Sequence, residues 1–479
     1  MMKRHSLLLP ILMLIVTPWA GATVSLPPVF SDNMVFQRNT EAAIWGWTDS
    51  GGKVTVTTTW TGVKYSTSPD KNGKWIMRIP TPDAGGPFKV FISDGSDKVI
   101  LSNVLVGEVW FCSGQSNMFM VMAGFPGQPV EGATEEIVNA DPETPVRICT
   151  VGANASLKPL ETVAGSWNVL SPEVLSNSSA TAYFFAKRLQ GALKMPVGVI
   201  VSSVGGSAIE TWIDKETISD KFQGEFDLGF LDGEEMPKDI HTSPSVLFNG
   251  SVAPLIPFTF KGIIWYQGET NRFKPGQYIR LQKEYAEMMR RLFENPDAPF
   301  YFVEIAPYYY NAPDDWTLGY FREAQLKSLD VIPHSGMAST VDIGDYGSIH
   351  PRKKREVGDR LAYLALVNDY AVKGIDPVAP TLKSVEFKDG KAYLKFNVGG
   401  QQLGPIDIDL TGFEIAGADK VFHPAVGKVI DWSGTVRVES REVTQPAAVR
   451  YCFRNWGVGT LHNNFGIPVV PFRTDDWEI

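Results

Sequence analysis

The pentapeptide Gly114-Gln115-Ser116-Asn117-Met118 follows directly on the apolar run 104–112, which places a serine where a strand gives way to a turn. An alcohol attacks a carbonyl at neutral pH only if a base takes its proton and hydrogen-bond donors await the negative oxygen. The reading therefore needs a histidine and a set of amides elsewhere in the chain. Three further clusters offer them: Gly205-Gly206-Ser207, Gln267-Gly268-Glu269-Thr270-Asn271, and the stretch 342–351, which contains His350. Each follows another apolar, strand-like run. A lone Gly-x-Ser is more often a turn than a site. Four clusters at the ends of strands argue for one shared site, because ligands of open α/β sheets bind beyond the carboxyl ends of the strands.

The elements that must position these clusters are apolar runs at 104–112, 197–203, 262–266, 300–305 and 336–341, which read as buried parallel strands. Helix-like segments lie between them. Asn177, Ser178 and Ser179 offer caps for a helix over 181–193, and Tyr278, Leu281, Tyr285, Met288 and Leu292 recur at helical spacing over 277–293. Strands joined by helices predict an α/β layer with a doubly wound, flavodoxin-like parallel sheet. On either side the texture changes to short β-rich runs separated by turns such as Asp49-Ser50-Gly51-Gly52 and Asp70-Lys71-Asn72-Gly73. The expected division is an export signal at 1–22, a β-sandwich-like domain at 23–101, a catalytic layer at 102–375 and a second β-rich domain at 376–479. The turn-rich stretches 142–176 and 215–245 read as surface excursions.

The blocks Gly114-Gln115-Ser116-Asn117, the glycines 205–206, Gly268-Glu269-Thr270-Asn271 and His350-Pro351 resemble the four sequence blocks of the SGNH hydrolases. The longer stretches 111–118, 264–271 and 349–358, with Pro471 to Trp477, resemble sialate O-acetylesterases and related polysaccharide acetylesterases. That resemblance implies Ser116 as nucleophile and His350 as general base. It also implies an oxyanion hole made of the Ser116 amide, the Gly206 (or Gly205) amide and the Asn271 side chain. One departure stands out. The family usually places an aspartate three residues before the histidine, but that position is Gly347 here. Asp345 is the preferred orienting carboxylate, with Asp342 or a backbone carbonyl in a Ser-His dyad as the alternatives. Gln115, Gln267 and Glu269 lie beside the blocks as candidate sugar-binding side chains, and Trp265 reads as core. The basic run Arg352-Lys353-Lys354-Arg355 reads as a solvated helix face, with attraction of a sugar carboxylate as the other possibility.

Composition bounds the alternatives. Residues 1–22 combine Lys3 and Arg4, an apolar stretch and the small-residue end Ala20-Gly21-Ala22, the pattern of a cleaved export signal that would deliver the chain to the periplasm or the medium. Beyond them there is no run of about 18 apolar residues, so stable membrane insertion is not expected. A net charge of −9 argues against a nucleic-acid partner. The three cysteines lack ligand spacing, so no metal and no cofactor is expected. The expected partner is an acetylated carbohydrate: an O-acetylated sialic acid first, and plant polysaccharides such as xylan or xyloglucan as the close alternative. A carbohydrate-binding protein without catalysis is the competing class. The sequence leaves the oligomeric state open.

Overall fold

A computed structural model describes residues 24–406, 408–432 and 434–477. The expected export signal lies outside the described residues. The central layer is a twisted sheet of seven strands: β1 (Lys98–Gly114), β2 (Val146–Val151), β3 (Gly165–Val169), β4 (Val197–Ser203), β5 (Gly262–Tyr266), β6 (Phe300–Val303) and β7 (Ser335–Ala338). Their spatial order is β3-β2-β4-β1-β5-β6-β7. All neighbours from β2 to β7 pair parallel, and β3 pairs antiparallel with β2, so the sheet is mixed rather than wholly parallel.

Alternation along β1 places helices on both faces. Val109 and Phe111 pack in the cluster that holds Tyr285 and Met288 of α3 (Pro275–Leu292) and Phe321 of α4 (Thr317–Ser328). Trp110 and Cys112 face the other way, toward Phe184 and Phe185 of α2 (Ala180–Leu193) and Leu361 of α5 (Lys354–Asn368). Each large apolar side chain fully buried in this way contributes about 1.5–3 kcal/mol. The helix α2 starts where its cap was expected, the Ser179 hydroxyl accepting from Ala182 N at 3.2 Å.

Two sequence expectations need correcting. The stretch 142–176 is not a surface excursion, because it supplies β2 and β3 and buries Ile148, Cys149 and Trp167. The expected division at 101/102 falls inside β1. The first half of that strand pairs with Val35–Gln37 and Gly85–Ser93, and its second half with β4 and β5. The N-terminal β-rich segment and the catalytic layer therefore share one strand. Beyond α5, Thr381–Lys388, Lys391–Asn397, Val436–Glu439, Phe422–Val429, Leu410–Ala416, Ala448–Tyr451 and Phe472–Arg473 form an antiparallel sheet around its own core. The three cysteines are free and buried.

Candidate active site

Strand β1 ends at Gly114, whose φ of +142° only glycine adopts readily, and a Cβ there would stand 2.1 Å from the Tyr266 carbonyl of β5. This close crossing turns the chain outward and sets Ser116 at the start of the short helix α1 (Ser116–Phe119). The serine is half-buried at the carboxyl end of the sheet. Beside it runs the loop after β4. A Cβ on Gly205 would lie 3.7 Å from that of Ser116, while Gly206, at φ +73°, sits farther out with exposed His241 next to it. Of the two glycines, Gly205 packs against the serine.

The loop after β5 closes the third side. Gln115 Oε1 accepts from the Gly268 amide at 3.2 Å, and Thr270 Oγ1 donates to the Gly206 carbonyl at 3.0 Å. Asn271 is held from three directions: its Oδ1 accepts from Ile209 N (3.1 Å) and from Gln267 Nε2 (2.7 Å), and its Nδ2 donates to Glu210 Oε2 (2.8 Å). One Nδ2 hydrogen remains after the Glu210 bond. Burial raises the pKa of Glu210. The expected sugar-binding roles of Gln115, Gln267 and Glu269 do not fit this arrangement. All three side chains are buried, and each is hydrogen-bonded to the protein's own groups: Gln115 to the Gly268 amide, Gln267 to the Ser207 carbonyl and Glu269 to Asn117. Gln115 and Gln267 are supports of the loop, and Trp265 is core, with no exposed surface.

His350 is half-buried, with Phe125 edge-on at 5.0 Å. The segment before it is tied to the serine turn, since Asn117 Nδ2 donates to the Ile349 carbonyl at 3.1 Å. The orienting carboxylate expected from the sequence is absent from this position. Asp345 accepts instead from Gly347 N at 3.1 Å and pairs with Arg352 at 3.3 Å, and Asp342 is taken by Arg360 at 2.6 Å. What meets His350 Nδ1 is Gln128 Oε1, at 2.7 Å. An amide oxygen can only accept, so Nδ1 carries the hydrogen and Nε2 is left as the basic nitrogen. With no anion beside it among the described residues, the imidazole is destabilised as a cation. Burial, and then the neighbouring Lys354 ammonium, lower its pKa to about 4.

The four blocks thus meet at the carboxyl end of the parallel strands: a serine on a strand-to-helix turn, a glycine against it, an oriented amide, and a histidine with a defined tautomer. A separate cavity of about 650 Å³, lined by Trp45, Leu157, Phe248 and Leu292, contains none of these residues. Among the described residues there is also no cluster of three His, Cys, Asp or Glu side chains suited to a metal ion. The model of the family described as carbohydrate esterase, sialic acid-specific acetylesterase matches residues 106–366, a little over half of the chain.

The chain belongs to that family.

As a member of this carbohydrate esterase family it is a carboxylic ester hydrolase. It is 28% identical to the human sialate O-acetylesterase over 499 residues, covering 95% of this chain and 93% of the human protein, and 29% identical to the mouse sialate O-acetylesterase over 517 residues. The crystal structure of a carbohydrate acetylesterase from Xanthomonas citri superposes with a TM-score of 0.83 at 32% identity, covering 95% of this chain and all of that one. Two side chains of this candidate site were not singled out from the sequence. Gln128 is presented by a tight turn in which Phe125 and Gln128 exchange both backbone hydrogen bonds. Its only signal was the Gly124-Phe125-Pro126-Gly127-Gln128-Pro129 turn composition just after the serine block. Glu210 carried no signal beyond following the glycine cluster.

Proposed function

We propose that this esterase removes O-acetyl groups from carbohydrates through an acetyl-serine intermediate, with O-acetylated sialic acids as its first substrate class. His350 Nε2 takes the Ser116 proton as Oγ attacks the acetyl carbonyl carbon. The oxygen that gains the charge is met by the Ser116 amide, the Gly205 or Gly206 amide and the remaining Asn271 Nδ2 hydrogen. The tetrahedral species collapses when the C–O bond to the sugar breaks, and the imidazolium gives its proton to the departing sugar oxygen. Water then repeats the sequence: His350 accepts its proton, hydroxide adds to the acetyl carbon, and the Ser116–acetyl bond breaks as the proton returns to Oγ. Acetate leaves and the free enzyme is restored.

The observation that carries this reading is the arrangement of Asn271. Glu210 and Gln267 hold its amide in place, which is the preorganisation that a developing oxyanion requires and that a passive glycan-binding face does not. The reading also treats the parallel part of the sheet as the doubly wound SGNH layer, sets off the last β-rich segment near 376, and takes 1–22 as a cleaved signal to the periplasm or medium. No described helix is long and apolar enough to cross a membrane. The test has two parts. A serine-directed phosphonate should add once to the wild type and not to Ser116→Ala. A screen over O-acetylated sialic acids, acetylated xylan and acetylated xyloglucan then ranks substrates by kcat/KM. Labelling undiminished in Ser116→Ala removes the acyl-serine mechanism, and a preference for the plant polysaccharides replaces the substrate class.

A further inference from the structure

The basic run at 352–355 does not behave as a solvated face throughout. Arg352 pairs with Asp345 and Arg355 with Glu136, but Lys354 has no exposed surface. It is the first residue of α5, where the helix dipole is positive and a cation is disfavoured. Burying an ammonium there costs several kcal/mol unless its surroundings compensate. A residue retained against both penalties invites the question of what it holds.

Lys354 Nζ donates to Asn117 Oδ1, and the amide of the same Asn117 donates to Glu269 Oε1 at 2.6 Å and to the Ile349 carbonyl at 3.1 Å. Cation, amide and carboxylate are thus lined up in one polarity, with each donor facing an acceptor. Asn117 adjoins the nucleophile, Ile349 adjoins the base, and Glu269 belongs to the loop of the oxyanion amide Asn271. One buried amide therefore touches three of the four blocks of the site. The orientation of that amide is decided by its end partners: only an acceptor such as Glu269 and a donor such as Lys354 fix which end is oxygen.

We propose that Lys354 is a positioning residue for the Ser116–His350 reaction, acting through Asn117 to hold the serine turn, the histidine segment and the Glu269 loop in one frame. This rests on the acyl-serine reading above. The groups that face the ammonium are Glu269 through Asn117, His350, and the ring of Tyr266 at 5.5 Å, while Arg272, over the ring of Tyr310, donates to the Glu269 carbonyl at 2.9 Å. Burial lowers the Lys354 pKa to about 7 and raises that of Glu269. Below that pH the lysine is charged, so throughout the acid range it also disfavours protonation of His350. Its removal must therefore leave two marks, one on turnover and one on the acid limb.

The test measures kcat, KM and the pH dependence of kcat/KM on a chromogenic acetyl ester for wild type, Ser116→Ala, Lys354→Met, Lys354→Gln, Asn117→Ala and the double variant Lys354→Met/Asn117→Ala. Circular dichroism and cooperative melting establish which variants are folded. Folded Lys354→Met is expected to lose about 10- to 100-fold in kcat with KM within about threefold, and its acid limb should rise by about one pH unit. Lys354→Gln keeps a donor and should recover part of kcat while showing the same rise. The double variant should be no worse than the poorer single variant, because both changes break one link. If Lys354→Met does not fold, Lys354→Gln and Asn117→Ala carry the test alone, the first by its acid limb and the second by its kcat. Folded Lys354 variants with wild-type kcat and an unmoved acid limb, or losses that multiply in the double variant, overturn the proposal. Activity retained in Ser116→Ala overturns instead the reading on which it rests.

Discussion

Replacing Gln128 tests the orientation of the proposed base, His350, most directly. In the structure its Oε1 accepts from His350 Nδ1 at 2.7 Å and from Ser348 Oγ at 2.8 Å, and among the described residues no carboxylate shares the task. In the ground state the imidazole is neutral and this is an ordinary hydrogen bond. In the transition state the ring is cationic and the bond becomes charge-assisted, worth about 1.5–3 kcal/mol. The neutral bond already present in the ground state is worth about 0.5–1.5 kcal/mol, so about 1–1.5 kcal/mol is specific to the transition state, and at about 1.4 kcal/mol per tenfold Gln128→Ala should lower kcat by about 5- to 12-fold. That is less than the roughly 10⁴-fold loss seen when a triad aspartate becomes asparagine, because no wrong tautomer is imposed. Gln128→Glu makes the converse change. A carboxylate beside Nδ1 favours the imidazolium and should raise the acid limb of kcat/KM by about 1–3 units while preserving or improving kcat above it. Steady-state hydrolysis of a chromogenic acetyl ester between pH 3.5 and pH 9 (roughly, bracketing the imidazole range) reads both effects. Gln128→Ala within threefold of wild type, together with an unmoved limb in Gln128→Glu, would refute the assignment.

Three further outcomes follow from the same geometry. The wild-type acid limb should lie near pH 4 rather than in the ordinary imidazole range, because the lowered pKa keeps His350 neutral, and hence a base, down to about 4, and only acid below that removes the active form. A limb at about 6.5 in kcat/KM of the free enzyme would contradict it. Asp345→Asn should stay within about threefold of wild-type kcat, since its carboxylate faces Gly347 N and Arg352; a loss of several hundredfold would restore it as the orienting acid. Asn271→Ala should lower kcat by about 10²- to 10³-fold with little change in KM, as removal of an oxyanion donor does. An effect confined to KM would make Asn271 a ground-state contact.

How far the sequence announced this site depended on whether a signal was apolar or polar. The strands 197–203 and 262–266 were readable residue for residue because uninterrupted burial on both faces selects uninterrupted apolar runs. Strand β2 escaped notice because Arg147 interrupts it, although that guanidinium is folded back on the Thr144 and Val146 carbonyls. Ser116, His350 and Asn271 stood out because their chemistry is tied to short local motifs. Gln128 and Glu210 did not, because an orienting acceptor can come from any loop that reaches the ring or the amide, and that reach is set by tertiary packing. Lys354 was misread for another reason. Its charge suggested water, yet with Val357, Gly358, Leu361 and Ala365 it lies on the helical stripe of α5 that turns inward. Periodicity outweighed residue type there, and where the two conflict a buried polar role is the natural inference.

The replacement of an acid by amides changes what the site can do. In the proposed site Gln115, Asn117, Gln128, Gln267 and Asn271 tie the serine, histidine and Asn271 segments together with neutral donors and acceptors whose hydrogen bonding does not titrate. A triad carboxylate raises the pKa of its histidine and makes a stronger base that protonates earlier as pH falls. An amide in its place gives a weaker base, but one still unprotonated in acid, and a more acidic imidazolium for returning the proton to a sugar oxygen. By Brønsted reasoning the first half of the reaction loses some driving force and the departure of the alcohol gains some. The arrangement suits an ester whose leaving group is a poor one, as a sugar alkoxide is. The balance is visible in Gln128→Glu: if leaving-group departure limits turnover, the carboxylate should help aryl acetates more than acetylated sugars. An equal gain on both substrates would mean that departure of the sugar oxygen is not the step this histidine was tuned to assist.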